Sequence, residues 1–67
     1  MKLTVNGESR TVQLGATVAD LLRDLQLDPR QVVVEHNREI LRDRGQLAAR
    51  TLAAGDVLEL VHFVGGG

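Results

Sequence analysis

The 67-residue chain contains no cysteine, a single proline and a single aromatic residue, Phe63. Without cysteine, neither a disulfide framework nor a cysteine-ligated zinc can brace so small a fold, which must stand on apolar packing. One aromatic side chain gives almost no capacity for base stacking. Nine acidic residues offset eight basic ones, for a formal net charge of -1. Neither nucleic acid nor an anionic membrane is therefore favoured as a partner. No apolar run reaches membrane-spanning length, and the opening Met1-Lys2-Leu3-Thr4-Val5-Asn6 lacks the basic stretch and apolar core of a secretion signal. A cytoplasmic protein with a small protein partner is the expectation.

The composition is 43% hydrophobic and 25% charged, that of a globular chain. A chain of this length makes one domain that buries roughly 60% of the surface its unfolded form exposes. Little room is left for an internal active site.

Leu3 and Val5 alternate with Lys2, Thr4 and Asn6, the period of a strand with one buried face. Asn6-Gly7 tolerates positive φ, and Val12 and Leu14 resume the alternation, so a tight hairpin is expected. Gly15-Ala16 breaks the strand. Thr17 can cap a helix that carries Asp20 in its first turn, and Val18, Leu21, Leu22 and Leu25 form its apolar stripe. Asp28-Pro29 stops that helix. Val32-Val33-Val34 reads as a third strand, followed through a turn at Glu35-His36-Asn37-Arg38 by a short extended Glu39-Ile40-Leu41. From Arg42 to Arg50 the signal is mixed, because Leu47, Ala48 and Ala49 favour helix while Gly45 weakens it; an irregular connector is expected.

Ala54-Gly55-Asp56 is a turn, and residues 57–64 form the longest strand candidate. Strict alternation places Leu58 and Leu60 on one face and Val57, Glu59, Val61 and Phe63 on the other. If the leucines face the core, Val61 and Phe63 are exposed apolar anchors beside the tail; a core Phe63 would instead need a bulge that resets the register. The order of elements describes an α+β domain over residues 1–64, a mixed sheet of four to five strands on one main helix, with a flexible tail over 65–67.

That tail, Gly65-Gly66-Gly67, carries the main functional signal. Glycine has no side chain to pack and loses the most backbone entropy on ordering, so the tail is a poor stabiliser of the fold. The alternative is a frayed end. No helix follows it and no lysine or serine completes a phosphate-binding loop. Its one reactive group is a carboxylate with a reference pKa of about 3.5, ionised and a poor electrophile at neutral pH. Activation as an acyl-adenylate would need ATP and a partner enzyme. The thin tail, spanning roughly 10 Å when extended, could enter such a partner's site.

His36 and His62 lack converging partners at readable spacing and are not read as bases or ligands. Glu35, Glu39, Asp43 and Asp56 are read as solvated carboxylates.

These residues resemble a family. Lys2-Leu3-Thr4-Val5-Asn6-Gly7-Glu8, Thr17-Val18-Ala19-Asp20-Leu21-Leu22, Val34-Glu35-His36-Asn37 and the ending from Gly55-Asp56 through Gly67 are similar to the ThiS sulfur carriers of thiamine biosynthesis. The resemblance implies a ubiquitin-like β-grasp fold whose first and last strands lie side by side and parallel. It implies a carrier rather than an enzyme, with no cofactor of its own. Gly67 would be adenylated with ATP by a ThiF-like adenylyltransferase and converted to a thiocarboxylate with sulfur from a cysteine desulfurase. It would then serve a ThiG-like thiazole synthase, with Gly65, Gly66 and Gly67 entering the partner's active site and Glu59, Val61 and Phe63 at the interface. Gly65 exceeds what a diglycine ending requires. A carrier for another pathway, such as the molybdopterin synthase small subunit, a covalent protein modifier and an RNA-binding β-grasp domain are the alternatives; the last has no use for the terminal glycines.

Overall fold

The computed structural model describes Met1–Phe63; the expected end of the last strand at Val64 and the tail at 65–67 lie outside the described residues. The chain opens with β1 (Lys2–Val5) and β2 (Glu8–Thr11), joined by Asn6 and Gly7 at φ 50° and 80°. Two consecutive positive φ values match the strand twist of a tight hairpin, which is why Asn-Gly stands there. β2 is exposed throughout its length. Val12 is half-buried just past it, and Leu14 lies beyond the strand, 85% exposed, so the expected alternation does not continue through the hairpin's second arm. A turn that includes Gly15 at φ 82° takes over first.

Helix α1 (Val18–Asp24) starts as its sequence dictates. The Thr17 hydroxyl accepts from the Asp20 N–H at 3.1 Å, and the Asp20 carboxylate accepts from the Thr17 N–H at 2.9 Å. It ends before Asp28-Pro29, and not because of the proline. Gln26 adopts φ 59° and donates to the Arg23 carbonyl while Leu27 donates to Leu22, a Schellman ending that satisfies the last carbonyls. Pro29 instead opens a short 3-10 turn, Pro29–Gln31, capped by Asp28.

β3 (Val32–His36) and β4 (Glu39–Leu41) form a second hairpin, turning through Asn37 and Arg38 at φ 49° and 72°. The expected irregular connector contains a six-residue helix, α2 (Arg44–Ala49), which spans Gly45 and seats Leu47 in the core. Burial of one leucine, with the Gln46 side chain accepting from the Asp43 N–H, outweighs the glycine's weak propensity. The last strand, β5 (Val57–His62), completes a five-stranded sheet in the order β2-β1-β5-β3-β4. β1 and β5 are parallel and central, as expected of a β-grasp domain; β1–β2, β3–β5 and β3–β4 are antiparallel.

One face of this sheet carries the core. Val18, Leu21 and Leu22 of α1 join Leu3, Val5, Val34, Leu58 and Leu60 in one buried cluster, closed by Leu47 and Leu52. The other face of the sheet is open. No helix among the described residues is long and apolar enough to cross a membrane.

Candidate functional site

β5 runs from a fastened turn at Asp56 toward the glycine end, and its parity decides what each end presents. Leu58 and Leu60 point into the core, 0% and 8% exposed. Val57, Val61 and Phe63 point outward at 45%, 61% and 42% exposure, with Glu59 exposed between them. The β3–β5 register is unbroken from Val32↔His62 to His36↔Leu58, so no bulge turns Phe63 inward. The Phe63 N–H donates to the Gln31 carbonyl at 2.9 Å, holding the strand's backbone one residue past its last paired position.

The outward face extends across β3 and β4. Val33 stands opposite Val61, and Glu35 stands between Glu59 and Ile40. Val33 and Ile40 are 42% and 45% exposed. The result is an open apolar surface with two carboxylates in its middle; Gly65, Gly66 and Gly67, which follow β5 in the sequence, lie outside the described residues. His62, on the inward parity at the strand's end, is exposed and forms no ion pair among the described residues.

The opposite end of β5 holds a polar cluster that corrects the reading of Asp56 and His36. His36 is buried, and its Nε2 lies 2.7 Å from Asp56 Oδ2. The same carboxylate accepts from the Ala53 N–H at 2.8 Å and from the Asn37 amide at 3.0 Å, while Asn37 Oδ1 accepts from the Val57 N–H. The Asp56 side chain, only 12% exposed, is therefore no solvated turn residue. Burial pushes its pKa up, but the hydrogen bonds from Asn37, His36 and the Ala53 N–H outweigh that and hold it below the ordinary carboxylate value. His36 Nδ1 has no hydrogen-bond partner among the described residues. The pair is covered, with His36 on the core side of β3, so it fastens the β3–β4 turn to the start of β5 rather than presenting a base. One signal could have found it: Val32, Val34 and His36 share a parity, so a strand with Val34 inside also carries His36 inside.

Asn6 was legible only as a turn residue. It also continues the β1 pairing along β5: its backbone donates to the Leu58 carbonyl, and its side chain accepts from the Leu60 N–H at 2.7 Å and donates to the Leu60 carbonyl at 3.2 Å. A concavity bordered by Val12, Leu14, Asp20 and Arg23 lies elsewhere; there Asp20 caps α1 and pairs with Arg23. Among the described residues no group of three His, Asp or Glu side chains is placed to hold a metal ion.

This geometry has close counterparts. The model of the ThiS family matches residues 3–67. A thiazole synthase from Paramagnetospirillum magneticum is 45% identical over the whole chain, and one from Magnetococcus marinus is 40% identical. The chain spans about a fifth of the length of these two relatives, 20% of each. The sulfur carrier protein ThiS of Bacillus subtilis is 45% identical over 51 residues, 76% of either chain. The crystal structure of the thiamine biosynthesis protein ThiS from Geobacter metallireducens superposes over the full length of both chains with a TM-score of 0.83 and 40% identity.

Proposed function

The chain belongs to the ThiS family, and from that premise we propose that it is a sulfur carrier of thiamine biosynthesis whose working group is the Gly67 carboxylate. An ionised carboxylate resists attack, so it is first joined to the adenylyl group of ATP by a ThiF-like adenylyltransferase, with pyrophosphate leaving. The terminal sulfur of a desulfurase persulfide then attacks the acyl carbon and expels AMP, leaving an acyl disulfide, and a thiol reductant cleaves that S–S bond by two-electron reduction to free the thiocarboxylate on Gly67. The thiocarboxylate supplies the sulfur that a ThiG-like thiazole synthase incorporates. Gly65, Gly66 and Gly67 enter the partner's narrow site, and Glu59, Val61 and Phe63 meet its surface. The catalytic groups belong to the partners, and the exchange is cytoplasmic.

The observation that carries this reading is the family match, which spans residues 3–67. Thiazole synthases that contain a region like this chain favour thiamine over molybdopterin as the pathway served. The exposure of Val61 and Phe63 on the outward face of the last strand before the glycines supports the docking role proposed for them.

Intact-mass analysis after incubation with ATP, the adenylyltransferase, cysteine, cysteine desulfurase and a thiol reductant tests it. One oxygen-to-sulfur exchange, lost when Gly67 is deleted, is the expected result. Conjugates to lysines of other proteins in place of that exchange would make the chain a protein modifier, and an unchanged mass would refute both.

A further inference from the structure

The open sheet face holds an arrangement that serves no purpose within the chain. Glu35 on β3 and Glu59 on β5 are direct cross-strand neighbours on the outward side. Such a pair sets its Cβ atoms about 4.5–5.5 Å apart, a spacing at which like charges destabilise the sheet. No Lys or Arg forms an ion pair with either carboxylate among the described residues. Arg38 borders the same shallow groove as Glu35, Asn37, Val57 and Glu59, yet remains outside ion-pair distance of both. Asp20 has Arg23, Asp28 has Arg30 and Glu39 has Arg50, and although Glu8, Asp24 and Asp43 form no ion pair among the described residues either, only Glu35 and Glu59 are set directly against another carboxylate by the strand register. Around the unpaired two stand Val61, Val33, Ile40 and Val57, each more than two-fifths exposed.

We infer that Glu35 and Glu59 form one acidic notch that receives a cationic side chain of thiazole synthase, with the surrounding valines and Ile40 seated on an apolar rim of that enzyme. This rests on the carrier reading above and names the chemistry of its docking partner. Two carboxylates side by side suit the planar fork of an arginine better than a single ammonium. An apolar ring that excludes water strengthens such a contact. Thiazole synthase is the chosen occupant because relatives of that name carry a region like this chain within one polypeptide, which raises the effective concentration of one part for the other. A second copy of this chain is a poor occupant, since a two-fold contact centred on this face would oppose four carboxylates. The notch also sets register: it fixes the sheet on the enzyme so that the glycine end points into the active site.

The test separates stability from binding, because the inference requires them to move in opposite directions. Glu35→Gln, Glu59→Gln and the double variant are compared with the unaltered chain, and Asp24→Asn, an exposed change on α1, controls for net charge. Thermal unfolding of the carrier and its calorimetric dissociation constant for purified thiazole synthase are measured at low and high salt. The double variant should melt at or above the unaltered chain, bind about tenfold or more weakly, and lose most of the salt dependence of binding. Asp24→Asn should change neither. The inference is overturned by a double variant that binds as tightly as the unaltered chain, or by one that melts lower with unchanged affinity. Self-association abolished by the double variant would assign the face to a second copy and equally overturn it. A carrier that forms the Gly67 thiocarboxylate and binds normally without the notch would refute this inference alone. One that never acquires sulfur would refute the carrier reading, and failure to bind thiazole synthase at all would refute the notch.

Discussion

The two ends of β5 are built on opposite plans. At the Asp56 end nearly every polar group is engaged: Thr4 donates to the Asp56 carbonyl, Gly55 to Lys2, Asn37 anchors Val57, and the Asp56 carboxylate gathers His36, Asn37 and Ala53. At the Phe63 end the backbone is held by the β3 ladder and one bond to Gln31, while the outward side chains meet solvent. One end is an anchor that ties two turns to β1 and β5, and the other is a surface kept apolar with no internal reason. In a chain this small, exposed Val61 and Phe63 contribute little to stability, and their placement beside the glycine end is where a docking surface has value.

The largest effect expected from breaking the anchored half is Leu58→Ala. Leu58 is fully buried at the centre of the sheet, and its truncation should cost about 3–4 kcal/mol in denaturant unfolding. In a domain of this size that is enough to leave a substantial unfolded fraction. A loss below about 1 kcal/mol would mean that the site collapses around the cavity.

Asp56→Ala comes next. It leaves His36 buried without its partner and frees the Ala53 and Asn37 donors, at about 2–3 kcal/mol. The same carboxylate predicts an acid limb. Its pKa lies below the ordinary value of 3.8 in the folded chain, so the unfolded chain binds the proton more readily. The stability it confers is complete above the unfolded value and is lost as pH falls through the lower folded one. Urea midpoints followed from neutral pH downward should therefore drop more steeply below about pH 4 for the native chain than for Asp56→Asn. Equal slopes would show that the clasp is not what holds the carboxylate ionised.

The smallest effect on stability belongs to the other end. Phe63→Glu should change unfolding free energy by no more than about 0.5 kcal/mol, since surface substitutions rarely do more. It should nevertheless weaken binding to thiazole synthase at least about tenfold. A variant that unfolds would reassign Phe63 to the core and erase the contrast between the two ends.

What could be read in advance divides along the same line. The parity of β5 was legible because alternation is local: once Leu58 and Leu60 are inward, Glu59, Val61 and Phe63 have one direction left. The Thr17 cap and the Asn6-Gly7 turn were legible for the same reason, each being settled within four residues. The clasp was not, because Asp56 and His36 are 20 positions apart and a carboxylate in a turn looks solvated until another loop covers it. Nor was the second role of Asn6, whose side chain meets Leu60 54 positions away. The end of α1 was misattributed to Pro29 because a non-glycine residue at positive φ leaves only a weak trace in sequence.

The sequence by itself determined most of the elements, α2 excepted, the inward and outward sides of β1, α1 and β5, and the resemblance that pointed to the terminal carboxylate, since periodicity, capping and turn chemistry act over a few neighbouring residues. Only the tertiary structure decided which strands are neighbours, that Asp56 and His36 form a buried clasp, and that Glu35 faces Glu59 across the open side of the sheet. Those depend on register between segments far apart in the chain, set by how the whole apolar face closes over α1, and no local pattern encodes that closure.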